Sequence, residues 1–284
     1  MEEIWKDIKG YEGLYQVSNL GRVFSKKRNR MLKLIERRGY YIVGLRKTDK
    51  QIFFCVHSLV AECFLENPLN IQRVTHIDNN KKNNNANNLA FILVYGVGIY
   101  DVPRSASNVV AYDIWSHMIR RCYDKKEKRS KFYKDCTICD SWLRFSNFLK
   151  WFNDASNGYV KGYHLDKDLF SRNNKVYSPN TCCFLPQEIN SALVFHRNKE
   201  GEMPLGVYFL KDSNVYLGVG ENRSLKRFKT AEEAHNHYVK YKTKRIKELA
   251  EKYKDVITER VYNALLNYEL PEDLTPDGVQ MKAM

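Results

Sequence analysis

The stretch from position 74 to 89 constrains this chain most; it reads Val-Thr-His-Ile-Asp-Asn-Asn-Lys-Lys-Asn-Asn-Asn-Ala-Asn-Asn-Leu. Each side-chain amide carries donors and acceptors that need partners once it leaves water. So dense a run of amides is therefore either disordered or tied into a hydrogen-bonded knot. His76 stands at a strand-like end, Asp78 follows two residues on, and Asn88-Leu89 opens an apolar run.

At 284 residues the chain is long enough for two or more domains. A hydrophobic fraction of 43% with 19 tyrosines fits folded protein rather than disorder. Lysine and arginine number 47 against 33 acids, a net charge of +14. That excess favours a polyanion, nucleic acid being the commonest, because counterion release gives affinity independent of sequence. The plain alternative is a basic protein without such a partner. No apolar run approaches the roughly 18–20 residues that span a membrane. The opening Met-Glu-Glu-Ile-Trp-Lys lacks the layout of a signal peptide. Seven cysteines, an odd count, then suggest reduced thiols and a cytoplasmic location.

Gly10, Gly13, Gly21, Gly39 and Gly44 punctuate short β-like runs such as 14–17 and 40–45. Between them lie Lys26, Lys27, Arg28 and Arg30, which read either as a solvated face or as DNA contacts. The segment Glu-Ile-Trp-Lys-Asp-Ile-Lys-Gly-Tyr-Glu-Gly-Leu-Tyr-Gln-Val-Ser-Asn-Leu-Gly-Arg-Val, 3–23, closely resembles the nuclease-associated modular domain of phage and intron-encoded endonucleases. That resemblance implies DNA contact. Trp5, Tyr11 and Tyr15 read as core rather than as base-stacking residues.

Residues 53–56 read as a strand, and 57–65 have helical spacing that Asn67-Pro68 stops. His57 reads as structural. With Val-His-Ser-Leu-Val-Ala-Glu-Cys-Phe ahead of it, the 74–89 stretch resembles the H-N-H nuclease signature of phage endonucleases. The resemblance implies a histidine that takes a proton from water and Mg²⁺ or Mn²⁺ to stabilise charge at the scissile phosphate. It makes His76 the base and Asn88, twelve residues on, its orienting partner. The family's ligand positions are filled by Thr75 in place of an acid or amide, and by Val97 in place of the last asparagine. This copy therefore reads as an incomplete site.

Residues 110–123 and 142–152 read as amphipathic helices rich in aromatic anchors. Leu165-Asp166-Lys167-Asp168, Tyr177-Ser-Pro179 and Cys182-Cys183-Phe184 resemble a second phage H-N-H-like domain. Asp166 precedes Thr181 by fifteen residues and Asn190 follows by nine, against thirteen and nine in the first copy. Asp166 and Asn190 thus stand at the metal positions. Lys167 replaces the base, with His164 as a substitute candidate; alternate strand residues share a face, however, so His164 would accompany Asp166 rather than Lys167. The other reading is an inactive fold in which Asp166 and Lys167 make surface or phosphate contacts. Cys136-x-x-Cys139, with Cys122 and Cys182 or Cys183, offers a structural Zn²⁺ set; free cysteines also sit commonly in cores.

Runs at 204–209, 215–219 and 225–228 look like three strands, and Thr230-Ala-Glu-Glu233 is a capping box that opens a helix to about Tyr253. Three strands and a helix resemble the APETALA-type DNA-binding domain, whose sheet lies in the major groove. By that resemblance Lys211, Arg223, Lys226 and Arg227 are candidate contacts, while Lys240, Lys242, Lys244 and Lys247 either touch phosphate or are solvated. Residues 256–268 continue as a helix, and Pro271 onward looks like a loose tail.

The expected architecture is α+β, with small antiparallel sheets and ββα-metal units in series. The modules are 1–48 (nuclease-associated), 49–98 (degenerate H-N-H-like), 99–200 (second H-N-H-like), 201–253 (APETALA-type) and 254–284 (helix and tail). The expected function is a phage or mobile-element endonuclease of the homing type acting on double-stranded DNA, with 165–190 the first place to look for cutting and His76 the second. The alternative is a catalytically inactive DNA-binding protein of the same descent.

Overall fold

A computed structural model describes residues 2–103, 105–124, 126, 133, 135–171, 174–194, 203–221 and 224–270. It is a mixed α+β fold with several small antiparallel sheets, in two compact units, 1–149 and 150–284. The division falls inside the 99–200 span.

In the first unit, β1 (Trp5–Asp7), β2 (Tyr15–Ser18), β3 (Val23–Ser25) and β4 (Arg30–Met31) form a four-stranded meander. A second sheet follows from β5 (Ile35–Arg37), β6 (Tyr40–Arg46) and β7 (Gln51–Cys55), with α1 (Val56–Phe64) directly after it. Alternation along β6 sends Val43 and Leu45 inward, where they meet Val17, Val56, Leu59 and Leu89. The spans 1–48 and 49–98 thus share one hydrophobic core. The short hairpin of β8 (Val74–His76) and β9 (Leu89–Phe91) pairs His76 with Leu89. Beyond it, α2 (Val109–Tyr123), β10 (Thr137–Ile138) and α3 (Phe145–Asn153) complete the elements that begin in this unit. Trp115 is fully buried among Tyr112 and Phe145, and its Nε1 donates to the Trp142 carbonyl at 2.7 Å.

In the second unit, β11 (His164–Asp166) pairs antiparallel with β13 (Cys183–Leu185), with β12 (Val176–Tyr177) between them in sequence. Then come α4 (Gln187–Ala192), the sheet β14 (Val207–Leu210), β15 (Val215–Val219) and β16 (Leu225–Phe228), the long α5 (Ala231–Tyr253) and α6 (Glu259–Leu266). The capping box at Thr230 forms as expected: its hydroxyl accepts from the Glu233 N–H, and the Glu233 carboxylate accepts from the Thr230 N–H. Leu185 and Ile189 pack with Ile246, Leu249 and Leu265, so hairpin and C-terminal helices share a core. The tail from Pro271 lies outside the described residues. Among the described residues no helix is long and apolar enough to cross a membrane.

Candidate functional site: two hairpins

The asparagine-rich loop between β8 and β9 is a hydrogen-bonded knot. Asp78 is its hub: its carboxylate accepts from Asn80 N–H, Asn83 Nδ2 and Asn88 Nδ2, each at 2.8 Å. These bonds hold the Asp78 carboxyl below its ordinary value, the side-chain amides of Asn83 and Asn88 being the leading causes. Asn88 also donates to the Asn83 carbonyl and accepts from the Asp78 N–H. Its side chain is therefore occupied in the loop. The amide that meets His76 is Asn84, whose Oδ1 lies 3.1 Å from the imidazole Nε2.

His76 is buried, only 6% exposed, beside two rings: His57 at 5.1 Å and Tyr40 at 6.1 Å between centroids. The Lys81 ammonium stands over the Tyr40 ring at 4.8 Å. Burial, and secondarily repulsion from His76, pushes His57 down to about 4, so it is neutral at physiological pH. Its Nδ1 is buried without a hydrogen-bond partner. Thr75 pairs with Ala90 in the hairpin, and Val97 sits in the turn bridged by Val94 and Gly98. No α-helix follows β9 directly; the next is α2. At the expected ligand positions this hairpin carries a threonine and a valine in place of an acid or amide.

In the second hairpin an α-helix, α4, follows β13 at once. Asp166 Oδ1 accepts from the N–H groups of Asp168 and Leu169, at 2.9 and 2.8 Å. Burial is the main cause that raises the Asp166 carboxyl above its ordinary value. Asn190 lies on α4, which packs against β11. Lys167 is not a free base: its ammonium donates to Asp168 Oδ1 at 2.5 Å and to the Asn174 carbonyl at 2.8 Å, with 8% of the residue exposed. Thr181 ties a local turn, donating to the Val176 carbonyl at 2.8 Å. His164 is exposed at the start of β11.

Of the four zinc candidates, Cys122, Cys136 and Cys139 lie in the first unit and Cys182 in the second. Among the described residues no three His, Cys, Asp or Glu side chains are placed to hold a metal ion. Cys136 and Cys182 are buried, and burial pushes the Cys182 thiol up to about 12, away from the thiolate that zinc requires. Cys122 is partly buried on α2, and Cys139 Sγ lies 3.3 Å from Ser141 Oγ.

Of the basic candidates, Lys26 is paired with Asp7 at 2.7 Å, whereas Lys27, Arg28 and Arg30 are exposed around the β3–β4 turn. Lys211 is exposed at the turn after β14, and Arg223 lies outside the described residues. Strand register separates the last pair. Lys226 stands opposite Gly218, where a Cβ would lie 2.6 Å from the Ala234 carbonyl of α5, so its strand face meets the helix, although the lysine itself is exposed. Arg227, also exposed, stands opposite the buried Leu217 on the other face, with Tyr208 beyond it on β14. Lys242 is likewise removed from phosphate, donating to the Ala192 and Val194 carbonyls.

Comparison with known proteins bears on the family resemblance of the N-terminal region. Residues 3–46 match the NUMOD4 motif. The chain is 49% identical over 89 residues to the DNA endonuclease I-HmuI of Bacillus phage SP01, covering 31% of this chain and 51% of that protein. An uncharacterised HNH endonuclease of Acanthamoeba polyphaga mimivirus is 41% identical over 85 residues, 30% of this chain and 26% of its own. A solved structure of DNA binding and cleavage by the HNH homing endonuclease I-HmuI is similar at 47% identity, covering 32% of this chain and 52% of that one, with a TM-score of 0.30. The chain is therefore homologous to HNH endonucleases over about a third of its length, and spans about half of I-HmuI.

Proposed function

We propose that this protein is a DNA endonuclease of the homing type, binding a long duplex site through several small basic modules and hydrolysing a phosphodiester. The observation that carries the reading is the 49% identity to a phage DNA endonuclease, joined to a NUMOD4 match at residues 3–46. The net charge of +14 supports a duplex partner.

Each hairpin has its own candidate residues for this chemistry. His76 is the proton acceptor of the first. In the second, Asp166 Oδ2, left over once Oδ1 has met two backbone N–H groups, and the Asn190 amide are oxygen donors of the kind that suits Mg²⁺ or Mn²⁺. His164, on the Asp166 side of β11, is the acceptor there. When bound, the cation supplies charge stabilisation at the phosphate.

A second reading, a DNA-binding protein that no longer cuts, is favoured by Thr75 and Val97 at the ligand positions and by the burial of His76. Supercoiled-plasmid nicking with Mg²⁺ or Mn²⁺ separates the two. We expect nicking by the wild type; loss in His76→Ala assigns it to the first hairpin, and loss in Asp166→Ala to the second. Salt-sensitive duplex binding with no nicking of DNA carrying the protein's own genomic locus supports the second reading and removes the first.

A further inference from the structure

The bond between His76 and Asn84 determines which imidazole nitrogen is available. Asn84 Nδ2 donates to the Lys82 carbonyl at 3.4 Å, a long bond that favours this orientation of the amide. Turned over, the amide would set its oxygen against that carbonyl, with no proton between them. Asn84 Oδ1 can only accept, so the ring at 3.1 Å donates from Nε2. A neutral imidazole that donates from Nε2 keeps its lone pair on Nδ1.

Asn84 is itself held from the N-terminal sheet. It is 4% exposed, and Gly21, at φ +84°, approaches so closely that a Cβ there would stand 2.7 Å from the Asn84 Cβ. Two residues on, the Ala86 N–H donates to the Asn19 carbonyl at 2.8 Å. The turn between β2 and β3 thus clamps the loop at the amide that sets the imidazole.

We propose that Asn84, seated against Gly21, is the positioning residue that holds His76 as the Nε2–H tautomer and leaves Nδ1 to accept a proton. Asn88, the residue that the H-N-H pattern nominates, ties the loop to Asp78 instead. That Nδ1 serves a base rests on the nuclease reading; the tautomer does not. The other groups facing His76 are neutral His57 on α1, Tyr40 on β6 with Lys81 over it, and the Asp78 carboxylate in the loop.

Long-range ¹H–¹⁵N correlation of the imidazoles in the full chain, labelled with ¹⁵N-histidine, reads the tautomer directly. At a pH above its titration, His76 is expected to show a protonated Nε2 and an unprotonated Nδ1. Asn84→Asp keeps the acceptor, so it should keep this pattern while moving the His76 titration up by about one unit or more. Asn84→Ala and Gly21→Ala should shift the ring towards a mixture of tautomers, and Asn88→Ala should leave it unchanged. A wild-type ring protonated at Nδ1, or an unmoved titration in Asn84→Asp, overturns the proposal. So does loss of the tautomer in a folded Asn88→Ala. If Asn84→Ala does not fold, the Asn84→Asp titration alone decides. The intended tautomer with no nicking would remove the nuclease reading and leave this one standing.

Discussion

Asp78 and Asn88 bond each other reciprocally: Asn88 Nδ2 donates to the Asp78 carboxylate at 2.8 Å, and the Asp78 N–H donates to Asn88 Oδ1 at 3.1 Å. The pair closes the loop between two strands of three residues each, which have little pairing of their own to hold register. Asn88→Ala should lower the thermal midpoint by a few degrees. Because the Asp78 carboxyl is depressed in the fold, its contribution is present above the ordinary value of 3.8 and is lost as pH falls through the folded value. The gap between wild type and variant should therefore be widest above pH 4 or so and narrow on acidification. Calorimetry at several pH values checks both points, and a pH-independent gap counts against Asp78 as hub.

What the sequence disclosed and what it concealed divide by range. The Thr230–Glu233 box and α5 depend on neighbours three or four residues apart, so the pattern alone carries them. The sequence leaves the amide run either disordered or knotted, and the resemblance nominates Asn88 rather than Asn84 as the amide that meets His76. That choice turns on Gly21, more than sixty residues away in sequence, and no local spacing contains it. The asparagine of the motif and its counterpart Thr181, thirteen and fifteen residues after the first ligand positions, both tie their own loops. Lys226 and Arg227 carry the same limit: adjacency says they are on opposite faces of a strand, but only α5 packing says which face meets the helix.

At Asp166 the buried carboxylate is unfavourable in its charged form, while Oδ1 usefully accepts two N–H groups. Asn keeps that oxygen and removes the charge. With its folded pKa raised, Asp166 weakens the fold above its unfolded pKa, and this penalty fades as pH falls from the folded value towards the unfolded one. Asp166→Asn should therefore gain stability at neutral pH, an advantage that disappears in mild acid. Asp166→Ala, which orphans both N–H groups, should instead lose stability. Denaturant unfolding at pH 7 and pH 4 measures it; an Asn variant weaker than wild type at pH 7 would show that the charge is compensated.

Lys167 is placed as a strut. Its ammonium spans Asp168 and the Asn174 carbonyl, and the Asn174 amide returns a bond to the Lys167 carbonyl at 3.0 Å. Lys167→Met retains the stem but leaves the Asn174 carbonyl without that donor, at a cost of about 1–3 kcal/mol. Lys167→Arg, which keeps the charge, should recover part of the loss. Chemical denaturation tests this, and equal stability of Met and wild type would sink the strut.

Arg227 and Lys226 are adjacent and carry the same charge, so a nonspecific electrostatic role predicts equal effects on DNA binding. The sheet geometry predicts unequal ones. Both side chains are exposed, but Lys226 shares its face with Gly218 against α5 and lies over the Phe228 ring at 5.8 Å, whereas Arg227 lies on the other face, beside Leu217 and with Tyr208, 42% exposed, beyond it. If that face meets duplex, Arg227→Ala should weaken binding and reduce the slope of log K against log salt by about 0.9, the value for one phosphate contact. Lys226→Ala should leave the slope near that of the wild type. Fluorescence anisotropy on a duplex across a salt series resolves the difference. Equal losses from the two variants would mean that DNA follows the edge of β16 rather than the face that carries Arg227, and a slope unaltered by either would remove this sheet from the interface.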